Sequence, residues 1–587
     1  MRPPTLQYFY LEKPMTLLIL ITIISVFIWI GSGDFYTKGE PREASVAVSM
    51  IEKNQWILPE AYADEVAYKP PLTHWLMAVF SLPENEVTPF SARLPSALAY
   101  LGLIAFSFIF FGKNLKFQDA FLASLIMLTS FELHRAAMTA RVDMMLTFLT
   151  VLALQRLFRW EERKELKGFP VIIALILGLA ALTKGPVGIV LPLLVFGIYL
   201  LFLKYNFWKI VIKLLPVALA SLVLPFIWYF AAYQIGGSEF LDLVWAENFG
   251  RFLKIDDLNI NYNLGHEFPW WHNFVFLAAG FIPWTILLFI SLFGLNFSKK
   301  IPGIKTLWNS FLHQDKITLF SAIAAIVIVL FYCIPMSKRS VYLMPAYPFI
   351  SIFIAQYVLY LTEYKVTLSR IFNIFIGILA CIIAILGIFT VLIPVIDPVQ
   401  VAGIFTKHQK TLNDIDFMWQ ALNGSKLLYI ILFGILIGSI FVLFRHIWKK
   451  NHLKALYATI GAYFAIFLVM DGVFLPAFKN GISSKPFAEM LEEKYEISYD
   501  KQPVYVMNNP KDYSNMYSLN FYLHNSFLNF EKEQPEEGFF LSGSDSFEKV
   551  LVNYEQEYWF DLLEEYQNKN RDGEKIIQFY RFYKKSD

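Results

Sequence analysis

The sequence predicts an all-α polytopic membrane protein that carries a small α/β domain outside the bilayer. Three observations lead there. The 587 residues are 56% hydrophobic with a mean hydropathy of +0.48, and the apolar residues come in long unbroken runs, not the short alternations of a soluble core. Lys and Arg cluster in every second short loop between those runs. From about residue 475 the composition turns polar, with alternating strand-like and helical stretches.

A bilayer crossing needs about 20 apolar residues. Runs of that kind, some shorter, lie at 15–31, 94–111, 119–134, 142–158, 169–183, 186–203, 210–233, 273–296, 317–335, 341–361, 371–396, 427–446 and 455–474, so about thirteen helices are expected. The first run lacks a small-residue cleavage site after it and reads as a retained anchor. The basic loops are Lys113/Lys116, Arg159–Lys167, Lys204–Lys213, Lys299–Lys305, Lys365/Arg370 and Arg445–Lys454. Counted from the N-terminus they share one side, which the positive-inside rule makes the cytoplasm. Arg2 and Lys13 agree, and an odd number of helices puts the C-terminus outside. Cys333 and Cys381 both sit in apolar runs, which argues against a disulfide framework. A net charge of +2 gives no basic field for nucleic acid. No internal repeat marks a transporter built from two halves.

The domain boundary is expected near 475: a membrane domain over 1–474 with outer loops 32–93 and 234–272, then a soluble α/β domain over 475–587. In the latter, Val504-Tyr505-Val506-Met507 and Gly538–Ser542 read as strands, and 486–496 and 546–566 as helices.

The outer face gathers the residues that carry chemistry. Glu40, Arg42 and Glu43 precede an amphipathic run, Ala44 to Ile51, expected to lie flat on the membrane surface. Lys69 is followed by Pro70 and Pro71, which fix an extended backbone and aim its side chain. Arg93 opens the second run. Arg135, Arg141 and Asp143 lie where the third and fourth runs meet the outer face, Lys184-Gly185-Pro186 makes a hairpin, and Asn248, Arg251, His266 and Glu267 sit in the central loop. Ser337-Lys338-Arg339 precedes Tyr342. So many cations on the side where positive charge is disfavoured point to an anionic ligand at the membrane boundary, and a lipid-linked phosphate fits that place. A departing phosphate needs its growing charge neutralised, and a nearby carboxylate can take a proton from an acceptor hydroxyl.

The series Glu40-Pro41-Arg42-Glu43, Tyr68-Lys69-Pro70-Pro71, Ala92-Arg93-Leu94-Pro95-Ser96-Ala97, Leu182-Thr183-Lys184-Gly185-Pro186 and Ser337-Lys338 with Pro345-Ala346-Tyr347-Pro348 resembles the aminoarabinose lipid A transferase and protein mannosyltransferase-like family of C-type membrane glycosyltransferases. The resemblance runs in order from about residue 30 to 350. It implies a polyprenyl-phosphate sugar donor and inverting transfer of an aminoarabinose- or mannose-like sugar. The acceptor would be lipid A, another glycolipid or a protein on the outer face of the inner membrane. It implies catalytic roles for Glu40 and Asp143 and donor-phosphate contacts for Arg42, Lys69, Arg251 and Lys338. His266, Lys184 and Tyr342 would contact substrate. The family's first loop usually begins Asp-Glu-x-Arg, whereas this chain has Gly39-Glu40-Pro41-Arg42, and Tyr68 stands where many relatives carry an acid. No metal ligand set is assigned, and a divalent metal stays an open possibility beside a cofactor-free reaction. Membrane lipids are the expected surroundings. A transporter or flippase of a lipid-linked sugar is the alternative; it would need charged residues at mid-bilayer, and the runs hold few.

Overall fold

A computed structural model describes residues 12–245, 267–294, 314–392, 398–407, 411–412, 415–416, 419, 426–499, 501–508, 513, 515–570 and 572–585. Arg251 and His266 lie outside the described residues. Among those described, seven helices are long and apolar enough to cross a bilayer, or nine if two bent helix pairs each count as one span, and five further apolar helices are 10–17 residues long. The chain is a multi-pass membrane protein. The outward faces of these helices carry large apolar side chains such as Ile212, Phe226 and Phe441, each more than half exposed, as lipid-facing surfaces do. Inward, Phe110, Phe158, Tyr199 and Phe320 pack ring against ring, edge to face or tilted, in one continuous core.

Two bent helix pairs interrupt the spans. Phe131–Ala137 and Val142–Lys164 meet at 116°, and His272–Gly280 and Trp284–Leu292 at 111°. The expected run at 273–296 is broken by the second bend, and the run at 119–134 is broken at Ser130, ahead of the first. Phe117–Thr129 stops at Ser130, and Phe281-Ile282-Pro283 interrupts the second run. The break at 138–141 brings the next helix back with Asp143 in its first turn, where an acid complements the helix dipole.

The polar tail folds as a five-stranded sheet with helices. With the first-loop hairpin as β1 (Glu60–Tyr62) and β2 (Glu65–Val66), the tail strands are β3 (Val504–Val506), β4 (Phe527–Asn529), β5 (Glu537–Gly543), β6 (Tyr558–Gln567) and β7 (Ile576–Lys584). Their order is β4-β3-β5-β7-β6, with β3 parallel to β4 and β5 and the rest antiparallel. The helix expected over 546–566 ends at Tyr554, and its second half is β6. There the local preference yields to pairing with β7: Phe560 faces the aromatic core while Trp559 lies 64% exposed on the other face, a period of two that helical packing could not satisfy.

The helix Gly39–Glu52 departs most from expectation. Its residues from Gly39 to Met50 are buried apart from Arg42, so it does not lie on the membrane surface. Membrane-domain helices cover one side. On the other, the tail helix Tyr517–Tyr522 packs against it, with Phe35, Ala44, Val48, Met77 and Phe521 in one cluster. Polar ties reinforce the seam. Asn525 Nδ2 donates to Ser49 Oγ at 2.6 Å, Ser518 Oγ to the Phe35 carbonyl at 3.2 Å and Tyr522 Oη accepts from the Phe35 N–H at 2.8 Å. Tyr62 of β1 enters the tail core beside Tyr517 and Phe527.

Candidate active site at the outer membrane boundary

The site is built on the Gly39–Glu52 helix. Three residues apart in its first turns stand two acids with different fates. Glu40 is bound by Arg93, whose Nε donates to Oε1 at 2.8 Å and Nη2 to Oε2 at 3.3 Å; the Ala140 N–H adds a bond at 3.0 Å. Arg93 is 1% exposed and also donates to the carbonyls of Ile30 (2.8 Å) and Gly33 (2.6 Å). It is placed by a capping box: Thr88 and Ser91 cap each other at the start of Pro89–Gly112, with Pro89 at the first helical position. Glu40 is thus a buried joint between three segments, with its oxygens already engaged.

Glu43, one turn on, faces the cations. Its Oε1 accepts from Lys69 Nζ and, at 3.3 Å, from Arg42 Nη2, and its Oε2 lies 2.9 Å from His74 Nε2. Pro70 and Pro71 set Lys69 in place, and Pro71 caps the helix Leu72–Ser81 whose first turn carries His74. Burial opposes the charge on Glu43, but Lys69, His74 and Arg42 outweigh it and hold the carboxyl well below the usual range. Lys69 moves the other way. Burial, helped by Arg42 and Arg141, brings its ammonium down to about 8 in spite of Glu43. Sequence reasoning named Glu43 without a role and missed His74. The signal available was a histidine five residues after Lys69 on the helix that the two prolines start.

Beside this cluster Asp143 Oδ1 accepts from Lys184 Nζ at 2.5 Å, and that ammonium sits 4.2 Å from the centre of the Tyr342 ring. Lys184 ends the helix Val171–Lys184, where a cation suits the dipole; Gly185, at φ +78°, makes the turn that the hairpin requires. Lys69 and Arg141 both lie within electrostatic reach of Asp143. Arg135 pairs with buried Glu132 at 2.7 Å, and Ser340 Oγ reaches the same carboxylate at 2.8 Å, tying the bent segment to the short helix that carries Tyr342. The structure therefore brings together Arg42, Lys69, Asp143, Lys184 and Tyr342. Lys338 does not join them: its buried ammonium donates to the carbonyls of Cys333 (3.3 Å) and Pro335 (2.5 Å) and closes the end of a helix. No group of three or more His, Cys, Asp or Glu among the described residues is placed to share a metal ion.

The chain is similar to known proteins in sequence and fold. Residues 68–229 match the dolichyl-phosphate-mannose-protein mannosyltransferase family model. An uncharacterised protein of Aquifex aeolicus is 28% identical over 58% of this chain and 63% of its own. The undecaprenyl phosphate-alpha-4-amino-4-deoxy-L-arabinose arabinosyl transferase of Shewanella sediminis is 21% identical over 59% of this chain and 60% of its own. The matches thus span about 60% of these relatives' lengths. The crystal structure of ArnT from Cupriavidus metallidurans bound to undecaprenyl phosphate superposes with a TM-score of 0.65 at 18% identity, over 96% of this chain and 97% of that one. The chain shares the fold of that ArnT, the C-type glycosyltransferase fold. The family-model match begins at Tyr68-Lys69, the cationic rim of the site, and runs through Arg93, Asp143 and Lys184.

Proposed function

We propose that this protein is an inverting glycosyltransferase that moves a sugar from a polyprenyl phosphate to an acceptor at the outer face of the membrane. The N-terminus would be cytoplasmic and the tail domain extracytoplasmic. The observation that carries this is the pair of adjacent carboxylate–lysine couples, Glu43–Lys69 and Asp143–Lys184, with Arg42 and Arg141 beside them on one rim. As the acceptor oxygen bonds to the anomeric carbon, the carbon–oxygen bond to phosphate breaks and its electron pair stays on the phosphate. Lys69 and Arg42 neutralise that charge. Asp143 orients the acceptor hydroxyl and takes its proton, steered by Lys184. Glu43, whose two oxygens are both engaged by Lys69, Arg42 and His74, keeps Lys69 and Arg42 converged until a phosphate draws them, whereas Asp143 is bonded to Lys184 through Oδ1. The polyprenyl-phosphate-bound relative and the arabinosyl transferases support this donor class and an aminoarabinose-like sugar; the acceptor proposed is lipid A, another glycolipid or a protein. Purified protein given radiolabelled undecaprenyl-phosphate sugar and envelope extract should release undecaprenyl phosphate and label an acceptor. Transfer to neither lipid nor protein would overturn the reading.

A pH dependence follows from Lys69. Its ammonium binds donor phosphate only when protonated, so donor kcat/KM is expected to hold below pH about 8 and fall roughly tenfold per pH unit above it, because this ratio reports the free enzyme. Lys69→Arg should abolish that alkaline limb, which a pH series of initial rates checks.

A further inference from the structure

Arg141 holds a place that only a glycine leaves open. A Cβ on Gly39 would lie 1.8 Å from Arg141 Nη2 and 2.8 Å from its Cζ, so any side chain there displaces the guanidinium. Gly39 sits in the first turn of its helix without a left-handed φ, so what the glycine provides is space, at a cost of about 0.5–1 kcal/mol against alanine in a helix. The arginine that fills this space has no hydrogen-bond or ion-pair partner for its guanidinium among the described residues, whereas Arg42, Arg93 and Arg135 each hold a carboxylate. Its surroundings are also unfavourable to it. Lys69 lies within electrostatic reach, and the positive end of the Gly39–Glu52 helix dipole is beside it. The backbone there is nonetheless fixed: Ser96 Oγ donates to the Arg141 carbonyl at 3.1 Å, and the preceding Ala140 N–H is bound to Glu40. A half-buried guanidinium is thus held beside another cation with no direct partner: Asp143 lies within electrostatic reach but is bonded to Lys184, so an arriving anion would take the open donors.

We propose that Arg141 is a third ligand of the donor phosphate and that Gly39 is the residue that admits it. This rests on the polyprenyl-phosphate reading above. On transfer, the phosphate diester with one negative charge becomes a monoester with two. Arg141 lies within electrostatic reach of both Lys69 and Asp143, so it would neutralise the charge released on bond breaking from a phosphate bound there.

The test is equilibrium binding of undecaprenyl phosphate, with undecaprenol as the uncharged control, to the full chain in nanodiscs. Wild type should prefer the phosphate at least tenfold. Arg141→Gln and Gly39→Ala should each weaken phosphate binding about tenfold and leave undecaprenol unchanged, and the double variant should be no weaker than either single one. Gly39→Ala keeps the arginine and favours the helix, so its effect reports displacement and not misfolding. If both single variants bind undecaprenyl phosphate as wild type does, Arg141 is not a phosphate ligand and the proposal falls while the donor reading stands. If wild type itself shows no preference for the phosphate, the donor reading falls and takes this assignment with it.

Discussion

Replacing Lys69 by alanine is expected to lower kcat/KM for the lipid-linked donor by roughly 10²–10³, or about 3–4 kcal/mol, the usual scale for a charged group aimed at developing negative charge in a dry site. The loss should fall on both donor affinity and kcat, because the phosphate carries charge before transfer and more of it afterwards. Lys69 is the least replaceable cation of the cluster. Arg42 is a third exposed and pairs with Glu43 at 3.3 Å, whereas Lys69 is fixed by two prolines and bonded to the same oxygen. A companion variant sharpens the expectation. Glu43→Gln removes the charge that supports the Lys69 ammonium, so the alkaline fall in kcat/KM should move to lower pH, with a smaller loss of rate at pH 6 than at pH 8. Initial rates with a defined donor across pH 6–9 decide both points. An unchanged pH profile in Glu43→Gln would show that Lys69 does not depend on that carboxylate.

Arg93→Ala is expected to be the most destabilising single change around the first-loop helix, by about 3–5 kcal/mol, because it leaves the buried Glu40 carboxylate with only the Ala140 N–H and takes the side-chain donor from two carbonyls. Adding Glu40→Gln should recover part of that loss, since a neutral amide is cheaper to leave partly unpaired than a carboxylate. Glu40→Gln alone should lower the unfolding midpoint yet retain turnover per folded molecule. That outcome would assign Glu40 to the frame and not to proton transfer. Denaturation in detergent, with activity normalised to the folded fraction, separates the two effects. Loss of turnover at unchanged stability would restore Glu40 to the chemistry.

These variants also show how far the residues spoke for themselves. Apolar runs near 20 residues announced a membrane fold, because nothing else needs such length, and the polar shift near 475 announced a second unit. The cationic rim was legible as an ordered series of short motifs, and Lys69, Arg42, Asp143, Lys184 and Tyr342 do converge. What one strand of text could not reveal was which of two acids in one helix faces the cations. That choice depends on Arg93, 53 residues from Glu40, claiming the first of them. Lys338 was misleading for a related reason: its sequence position is on the rim, but nearby helix-end carbonyls capture it. The amphipathic look of Ala44–Ile51 matched a membrane-surface helix as well as a covered one, and only the tail domain decides between them.

The seam between the first loop and the tail has a temporal meaning. Asp34 and Phe35 are bonded to Asn480 and Tyr522, partners 446 and 487 residues later in the chain. During synthesis the helix that bears Arg42 and Glu43 must therefore wait, uncovered, until nearly the whole polypeptide has been made and inserted. The candidate site is among the last regions to be completed although its scaffold is among the first to emerge. A nascent or prematurely stopped product would have its membrane helices in place and still lack the cover that holds the cationic rim together.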